Sequence, residues 1–453
     1  MNVIPFVHEG LGNSSYVVDI GDGKALMIDP DRSAGRYLRV LDQSGLVPVG
    51  VFETHLHADF VSGAAEVRHR TGAPLFLPEA AASALPHTTL RAEERRAFEG
   101  VEVAAIGSPG HTPEHLSYVL RGSSGPPLLF SGGSLIVGGA ARTDLLSPEA
   151  TESLTRSQYR TLREAFTALP DDTLLYPTHG GGSFCSTGAG GERVSTLGRE
   201  RQDNPLLSLT DEDEFVSWFP STFPGVPGYF FRLRALNQNG PRLRRDVPFP
   251  RALDPVEFAE RREAAVVVDA RGMGEYARAH VPGSLNNTLR DAFAVWLGWV
   301  VPADNQILFV VDDDADVERL VDEAMLVGFE RFGGWLNGGI DAWQQSGRAL
   351  ASTSLVGPRQ ARDTLLAGAT SLDVREASEY AAGHIPDSVH IPLGALDTNI
   401  GRIPLDRPLV VYCGHGERAS TAISILEAAG RSELVNLEGG IGAWSAAGYA
   451  IER

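Results

Sequence analysis

The sequence predicts an α/β multidomain protein in three parts, and three observations carry that expectation. The chain has 453 residues, enough for two or three domains. Its second half contains an internal repeat whose period is the size of a small domain. Short β-rich apolar runs alternate there with helix-like stretches, the pattern of parallel strands joined by crossover helices.

Composition narrows the class. Hydrophobic residues make up 43% and charged residues 21%, ordinary for a soluble globular protein. No apolar run approaches the roughly 18 residues of a membrane span. The start MNVIPFVHEGLGN has no basic segment followed by an apolar one, so no signal peptide is expected. Two cysteines cannot build a disulfide framework, and a cytoplasmic location is the simpler expectation. The formal charge of −19 argues against nucleic acid and anionic membrane as partners.

The first part, residues 1–245, opens with the β-rich runs SSYVVDI, KALMIDP, VGVFETH and APLFLP. Then come THLHADF (54–60), SPGHTPEHLSYVL (108–120), LLFSGGSLIVGGAARTDL (128–145) and LLYPTHGGGSFC (174–185). His55 and His57, two residues apart, can enter one site from a strand end or turn. His111, in a Pro/Gly turn, can converge on them. Clustered imidazoles on loops suit zinc or non-haem iron, so His55, His57 and His111 are the expected metal ligands. Residues 203–250 are dense in Pro, Gly and aromatics (WFPSTFPGVPGYFFRL) and are expected to pack against a neighbouring domain rather than hang free.

The second and third parts, 251–350 and 357–453, are the repeat. Asp269, Glu275, His280 and Pro282 pair with Asp373, Glu379, His384 and Pro386, each 104 residues on. LNGGIDAW (336–343) pairs with LEGGIGAW (437–444), 101 residues on. The copies differ where it matters: 101 residues before Cys413 stands Asp312, in ILFVVDDDADVERL. Asp offers no polarizable nucleophile, and Asp313, Asp314 and Asp316 repel an anionic donor. The first copy is expected to be catalytically silent and structural. His280 and His384 occupy matching positions, only one of them near a Cys, so both are expected to be structural.

In PLVVYCGHGERAS (408–420) an apolar run delivers Cys413 to a tight loop of Gly414, His415, Gly416, Glu417 and Arg418. A helical pattern follows, with Ala419, Ala422, Ile423 and Leu426 at helix spacing. A thiol between a strand end and a helix start faces converging N–H groups and the positive end of the helix dipole. Both favour thiolate, so Cys413 is the expected nucleophile. Cys185, in HGGGSFCSTG, lacks such a setting.

This loop and its surroundings resemble the rhodanese-type sulfurtransferases, which carry sulfane sulfur as a cysteine persulfide. DVREASEYAAGHIP, the Cys loop and LEGGIGAW all match, with Asp387 standing where that family more often has Gly. Cysteine phosphatases of related fold have a loop one residue longer, so the shorter loop implies sulfur transfer. By that resemblance the loop amides and Arg418 stabilise the persulfide anion. Glu417 adds a negative charge that favours a persulfide donor over dianionic thiosulfate.

Residues 1–245 resemble the metallo-β-lactamase fold, an αββα sandwich, and within it the persulfide dioxygenase and glyoxalase II branch. The whole order resembles bacterial persulfide dioxygenase–rhodanese fusions, with the metal site degraded. The family motif HxHxDH reads Phe60 at its last position, and Gly133 stands where the family has an Asp ligand. The dioxygenases hold Fe(II) with two His and that Asp, at positions matching His55, His111 and Gly133. Three readings stay open: a three-histidine iron site of His55, His57 and His111; a weakened site completed by water or Asp59; or a metal-free docking domain. His179 matches a second-metal ligand of the family and is expected to order its loop, with His115 and Asp59 behind the ligands. Arg142 and Asp144, the family's GRxD pattern, are expected to pair.

The resemblance implies a sulfurtransferase working through Cys413. Its N-terminal domain would oxidise glutathione or coenzyme A persulfide to sulfite, with thiosulfate as the joint product and a homo-oligomeric assembly. The alternatives are a persulfide carrier or sensor and, further off, a glyoxalase II-like thioester hydrolase, which needs the ligands missing at Phe60 and Gly133.

Overall fold

The computed structural model describes residues 1–186, 191–404 and 406–453. The chain forms two compact units, Met1–Val247 with Met325–Gly328, and Pro248–Ala324 with Phe329–Arg453.

The first unit is a pair of six-stranded sheets. One runs, in spatial order, Asn2–His8, Asn13–Gly21, Lys24–Ile28, Val47–Phe52, Leu75–Pro78 and Thr88–Leu90. The other runs Ser195–Thr196, Leu174–Pro177, Leu128–Gly132, Leu116–Arg121, Val101–Gly107 and Arg95–Phe98. Side-chain alternation decides what each sheet faces. Tyr16, Val18 and Ile20 enter a core shared with Tyr118, Leu120 and Phe130 of the other sheet. Between them, Val17 points outward to Tyr37, Leu41 and Val67 on the helices Ala34–Gln43 and Ala64–Thr71. On the opposite face Val119, Leu129 and Leu175 pack against Leu162, Phe215 and Phe219. The result is the expected αββα sandwich, each sheet apolar on both sides because both sides are covered.

The aromatic-rich segment belongs to this unit. Phe215 and Phe219 are fully buried, and the helix Phe230–Asn239 reaches back to the histidine loop. Asn237 donates to the carbonyls of His57 (2.8 Å) and Phe60 (2.9 Å) and accepts from the Ser62 N–H (2.9 Å). Arg234 forms a double hydrogen bond with Glu114 at 2.8 and 3.0 Å.

The second unit holds two five-stranded sheets, all parallel. In each the strands taken in chain order lie as first, fifth, fourth, second, third. The repeat in the sequence is therefore a repeat of topology. Its landmarks have matching jobs. Arg271 pairs with Asp269 (2.6 Å) and donates to the Ala279 carbonyl; Arg375 pairs with Asp373 (2.6 Å) and donates to the Gly383 carbonyl. Trp343 and Trp444 donate to the carbonyls of Ala349 and Ala450, each at 2.9 Å. His280 stacks on Tyr276 (3.9 Å) and His384 on Tyr380 (3.8 Å), structural contacts in both copies. No helix among the described residues is long and apolar enough to cross a membrane.

Candidate functional site

Cys413 follows directly on the strand Leu409–Tyr412 and is 1% exposed. Its Sγ accepts a hydrogen bond from the Gly416 N–H at 3.1 Å, just before the helix Glu417–Ala428. The GG of LEGGIGAW explains itself here. A Cβ on Gly440 would lie 2.2 Å from the Cys413 carbonyl oxygen, and Gly440 has φ +55°. Only glycine lets the Ile441 N–H reach that carbonyl, at 2.9 Å. The Gly414 carbonyl faces the Gly442 N–H at 3.5 Å, His415 is exposed, and Glu417 opens the helix half-buried.

Arg418 does not stand free beside the sulfur. It is clamped by Glu379, with Nη1 and Nη2 each 2.7 Å from a carboxylate oxygen. Burial works against the guanidinium's charge, but Glu379 and the nearby Cys413 outweigh it and raise its pKa. Sequence reading placed Glu379 only as a landmark of the repeat. The first repeat also reaches this site: Trp296 lies 5.8 Å from the Arg418 guanidinium, and a Cβ on Gly416 would sit 2.8 Å from Met273 Sδ. No local motif signals Met273 or Trp296, because their role comes from packing between the two copies. Over Asp312 the first repeat has instead an open cavity of about 790 Å³, lined by Asp312, Asp313, Asp314 and Arg271.

His111 and His115 lie between the strands Val101–Gly107 and Leu116–Arg121, His179 follows Leu174–Pro177, and His55 and His57 lie at the end of the strand Val47–Phe52, in the loop through Phe60. Asp29, at φ +47°, anchors that loop. It accepts from the Thr54 N–H (2.7 Å) and hydroxyl (2.8 Å) and from the Thr178 hydroxyl. Three sets of side chains stand close enough to share an ion: His55, His111 and His179; His57, Asp59 and His179; Asp29, Glu53 and His57.

His55 and His111 thus come together, their rings 4.8 Å apart, but the third ring facing them is His179. His179 Nε2 is 3.2 Å from His55 Nε2, and its Nδ1 is 3.2 Å from Asp59 Oδ2. His57, expected among the ligands, is engaged elsewhere. Its Nε2 lies 2.8 Å from Glu53 and 3.3 Å from Asp29, and its ring stacks on Phe60 at 4.2 Å. The reason is electrostatic: two buried carboxylates need a counter-charge. Burial alone would push His57 down, yet Asp29 and Glu53 hold it up at about 10. Burial, then the neighbouring imidazoles, push His55 and His111 well below the ordinary histidine range, and burial brings His115 to about 3. Neutral imidazoles are what a metal binds.

Gly133 has no side chain to offer, and a Cβ there would lie 2.5 Å from His111 Cδ2. Arg142 and Asp144 form the expected ion pair, at 2.7 Å. Arg142 also holds the site, its carbonyl accepting from His111 Nδ1 at 2.6 Å. Cys185 is fully buried, and burial pushes its thiol well up. The buried, nitrogen-rich donor set of His55, His111 and His179 fits a divalent transition metal without a carboxylate at 133.

The rhodanese-like domain family matches residues 254–346 and 358–447, and the metallo-beta-lactamase superfamily matches 8–179. The thiosulfate sulfurtransferase GlpE of Pseudomonas savastanoi is 38% identical over 89 residues, covering 20% of this chain and 84% of that one. The mitochondrial persulfide dioxygenase ETHE1 of Homo sapiens is 29% identical over 194 residues, covering 43% of this chain and 70% of that one. A metallo-beta-lactamase structure from Staphylococcus aureus superimposes with a TM-score of 0.66 at 26% identity, covering 74% of this chain and 98% of that one.

Proposed function

Since the chain belongs to the rhodanese family, with a metallo-β-lactamase domain of the ETHE1 kind ahead of two rhodanese-like domains, we propose that it is a sulfurtransferase coupled to persulfide oxidation. In the transfer step the Cys413 thiolate attacks the outer sulfur of a low-molecular-weight persulfide. One S–S bond breaks as another forms, the donor leaves as a thiolate, and no net oxidation occurs. Sulfite then takes the outer sulfur as thiosulfate and frees Cys413. The observation that carries this reading is the Gly416 N–H on Cys413 Sγ at 3.1 Å, in a loop closed by Arg418. The N–H donor favours the anion, and the clamped guanidinium adds positive charge without moving.

The N-terminal domain would supply the sulfite. Persulfide, dioxygen and water give thiol, sulfite and two protons, the outer sulfur being oxidised and dioxygen reduced. A metal held by the histidine cluster would supply the redox access to dioxygen that side chains lack. The protein's own part is to hold the imidazoles neutral and the site dry. Glutathione and coenzyme A persulfide are the candidate substrates, Fe(II) the candidate metal, and the cytoplasm the proposed location. Cys413→Ser is expected to abolish thiosulfate formation from persulfide and sulfite while leaving oxygen uptake in place. Undiminished transfer in that variant would remove the assignment; absent oxygen uptake by iron-loaded protein would leave a carrier alone.

A further inference from the structure

We infer that the N-terminal site holds its metal through His55, His111 and His179, with His179 standing in for the carboxylate missing at Gly133. The inference deepens the metal-dependent half of the function proposed above and rests on that reading for the metal's use, not for its ligands.

The argument is one of hydrogen-bond direction. His111 Nδ1 lies 2.6 Å from the Arg142 carbonyl, which can only accept, so the proton sits on Nδ1. His55 Nδ1 lies 2.8 Å from Thr54 Oγ1. That hydroxyl spends its own hydrogen on Asp29 Oδ2 at 2.8 Å, so it accepts from His55. His179 Nδ1 lies 3.2 Å from the Asp59 carboxylate, an ion-pair contact rather than an aligned hydrogen bond. His55 and His111 are thus held in the tautomer that leaves Nε2 as a lone pair, and the carboxylate's charge favours the same proton position on His179, as in carboxylate–histidine–metal relays. One nitrogen from each of the three rings lies within 4.8 Å of the others, and two of them face at 3.2 Å. Facing lone pairs repel unless a cation lies between them.

The other two histidines are accounted for. His115 accepts the Gly133 N–H on Nε2 (3.0 Å) and meets Ser108 Oγ on Nδ1 (2.8 Å), so neither nitrogen is available. His57 serves Glu53 and Asp29. Gly133 belongs to the same design. The space a side chain would need there is taken by the His111 ring, 2.5 Å from the Cβ position. Charge balance comes from one shell further out, where Asp59 and Asp29 are 1% and 0% exposed behind the imidazoles. A neutral three-imidazole set suits a divalent transition metal such as Fe(II), Co(II) or Zn(II).

Co(II) is the probe, bound anaerobically to the full-length chain and read by equilibrium dialysis and by its visible absorption bands. The native protein is expected to bind about one equivalent, because three converging imidazoles suffice for a transition-metal site. His179→Ala and His179→Gln are expected to weaken binding at least tenfold and change the bands. Circular dichroism confirms that each variant is folded. Native affinity in both His179 variants would overturn the ligand set, as would failure of the native protein to bind Co(II), which would leave only a proton shared between His55 and His179. Metal bound with no oxygen uptake sustains the ligand set and removes the dioxygenase reading instead.

Discussion

At the scale of single residues, the Glu379–Arg418 clamp sets how the sulfur site answers to pH. Burial would raise the Glu379 carboxyl, but Arg418 outweighs it and holds the group below its ordinary value. A depressed folded pKa stabilises the protein above the unfolded glutamate value, near about 4.3, and that stabilisation is lost as pH falls through the folded pKa. Glu379→Gln should therefore lower sulfur transfer at neutral pH by freeing Arg418 to move. The gap in melting temperature between native protein and variant should close in acid; a gap that stays constant with pH would contradict the clamp. A second residue follows from the repeat. Asp387 adopts φ +58°, and the matching residue of the first copy is Gly283 at φ +79°. The turn asks for a left-handed residue, and Asp is exposed there. Asp387→Gly should stabilise the protein by about 0.5–1 kcal/mol net, after the entropy glycine costs the folded state. Thermal unfolding measures it.

At the scale of elements, the first copy has work to do at the second copy's site. Its helix Phe293–Val300 carries Trp296 to the Arg418 guanidinium. Asn286 accepts from the Ser420 hydroxyl at 2.6 Å and donates its N–H to Ser424 at 3.1 Å, fastening the helix that begins at Glu417. Asp at position 312, in place of a thiol, does not disturb these contacts. Trp296→Ala should reduce transfer through Cys413 by about fivefold, equivalent to the ~1 kcal/mol of a cation–ring contact. The assay belongs well below the variant's melting temperature, since emptying a buried Trp site also costs about 3–5 kcal/mol of stability. Turnover equal to the native protein's would show the copies to be independent.

For the molecule as a whole, what could be read in advance was what is local or periodic. Constant offsets of 104 and 101 residues announced two copies of one topology, and alternating apolar runs announced covered sheets. The Cys413 loop was legible because strand, Gly turn and helix are contiguous in the chain. The histidine cluster was only half legible. Motif spacing brings His55 and His57 together, but which of them turns inward depends on Asp29 and Glu53. Nothing near His179 in sequence tells that Asp59 will orient its ring. Packing between the copies was hidden for the same reason, since Met273 and Trp296 sit more than a hundred residues from the loop they touch.

Both cysteines, Cys185 and Cys413, are buried and unpaired. The folded surface therefore offers no thiol through which one copy could become covalently cross-linked to another. Chain-to-chain disulfides are thereby disfavoured, while small persulfides still reach Cys413 under the proposed function. Brief diamide treatment of the folded chain should leave a single monomer band on a non-reducing gel, with higher species emerging only once denaturant opens the domains.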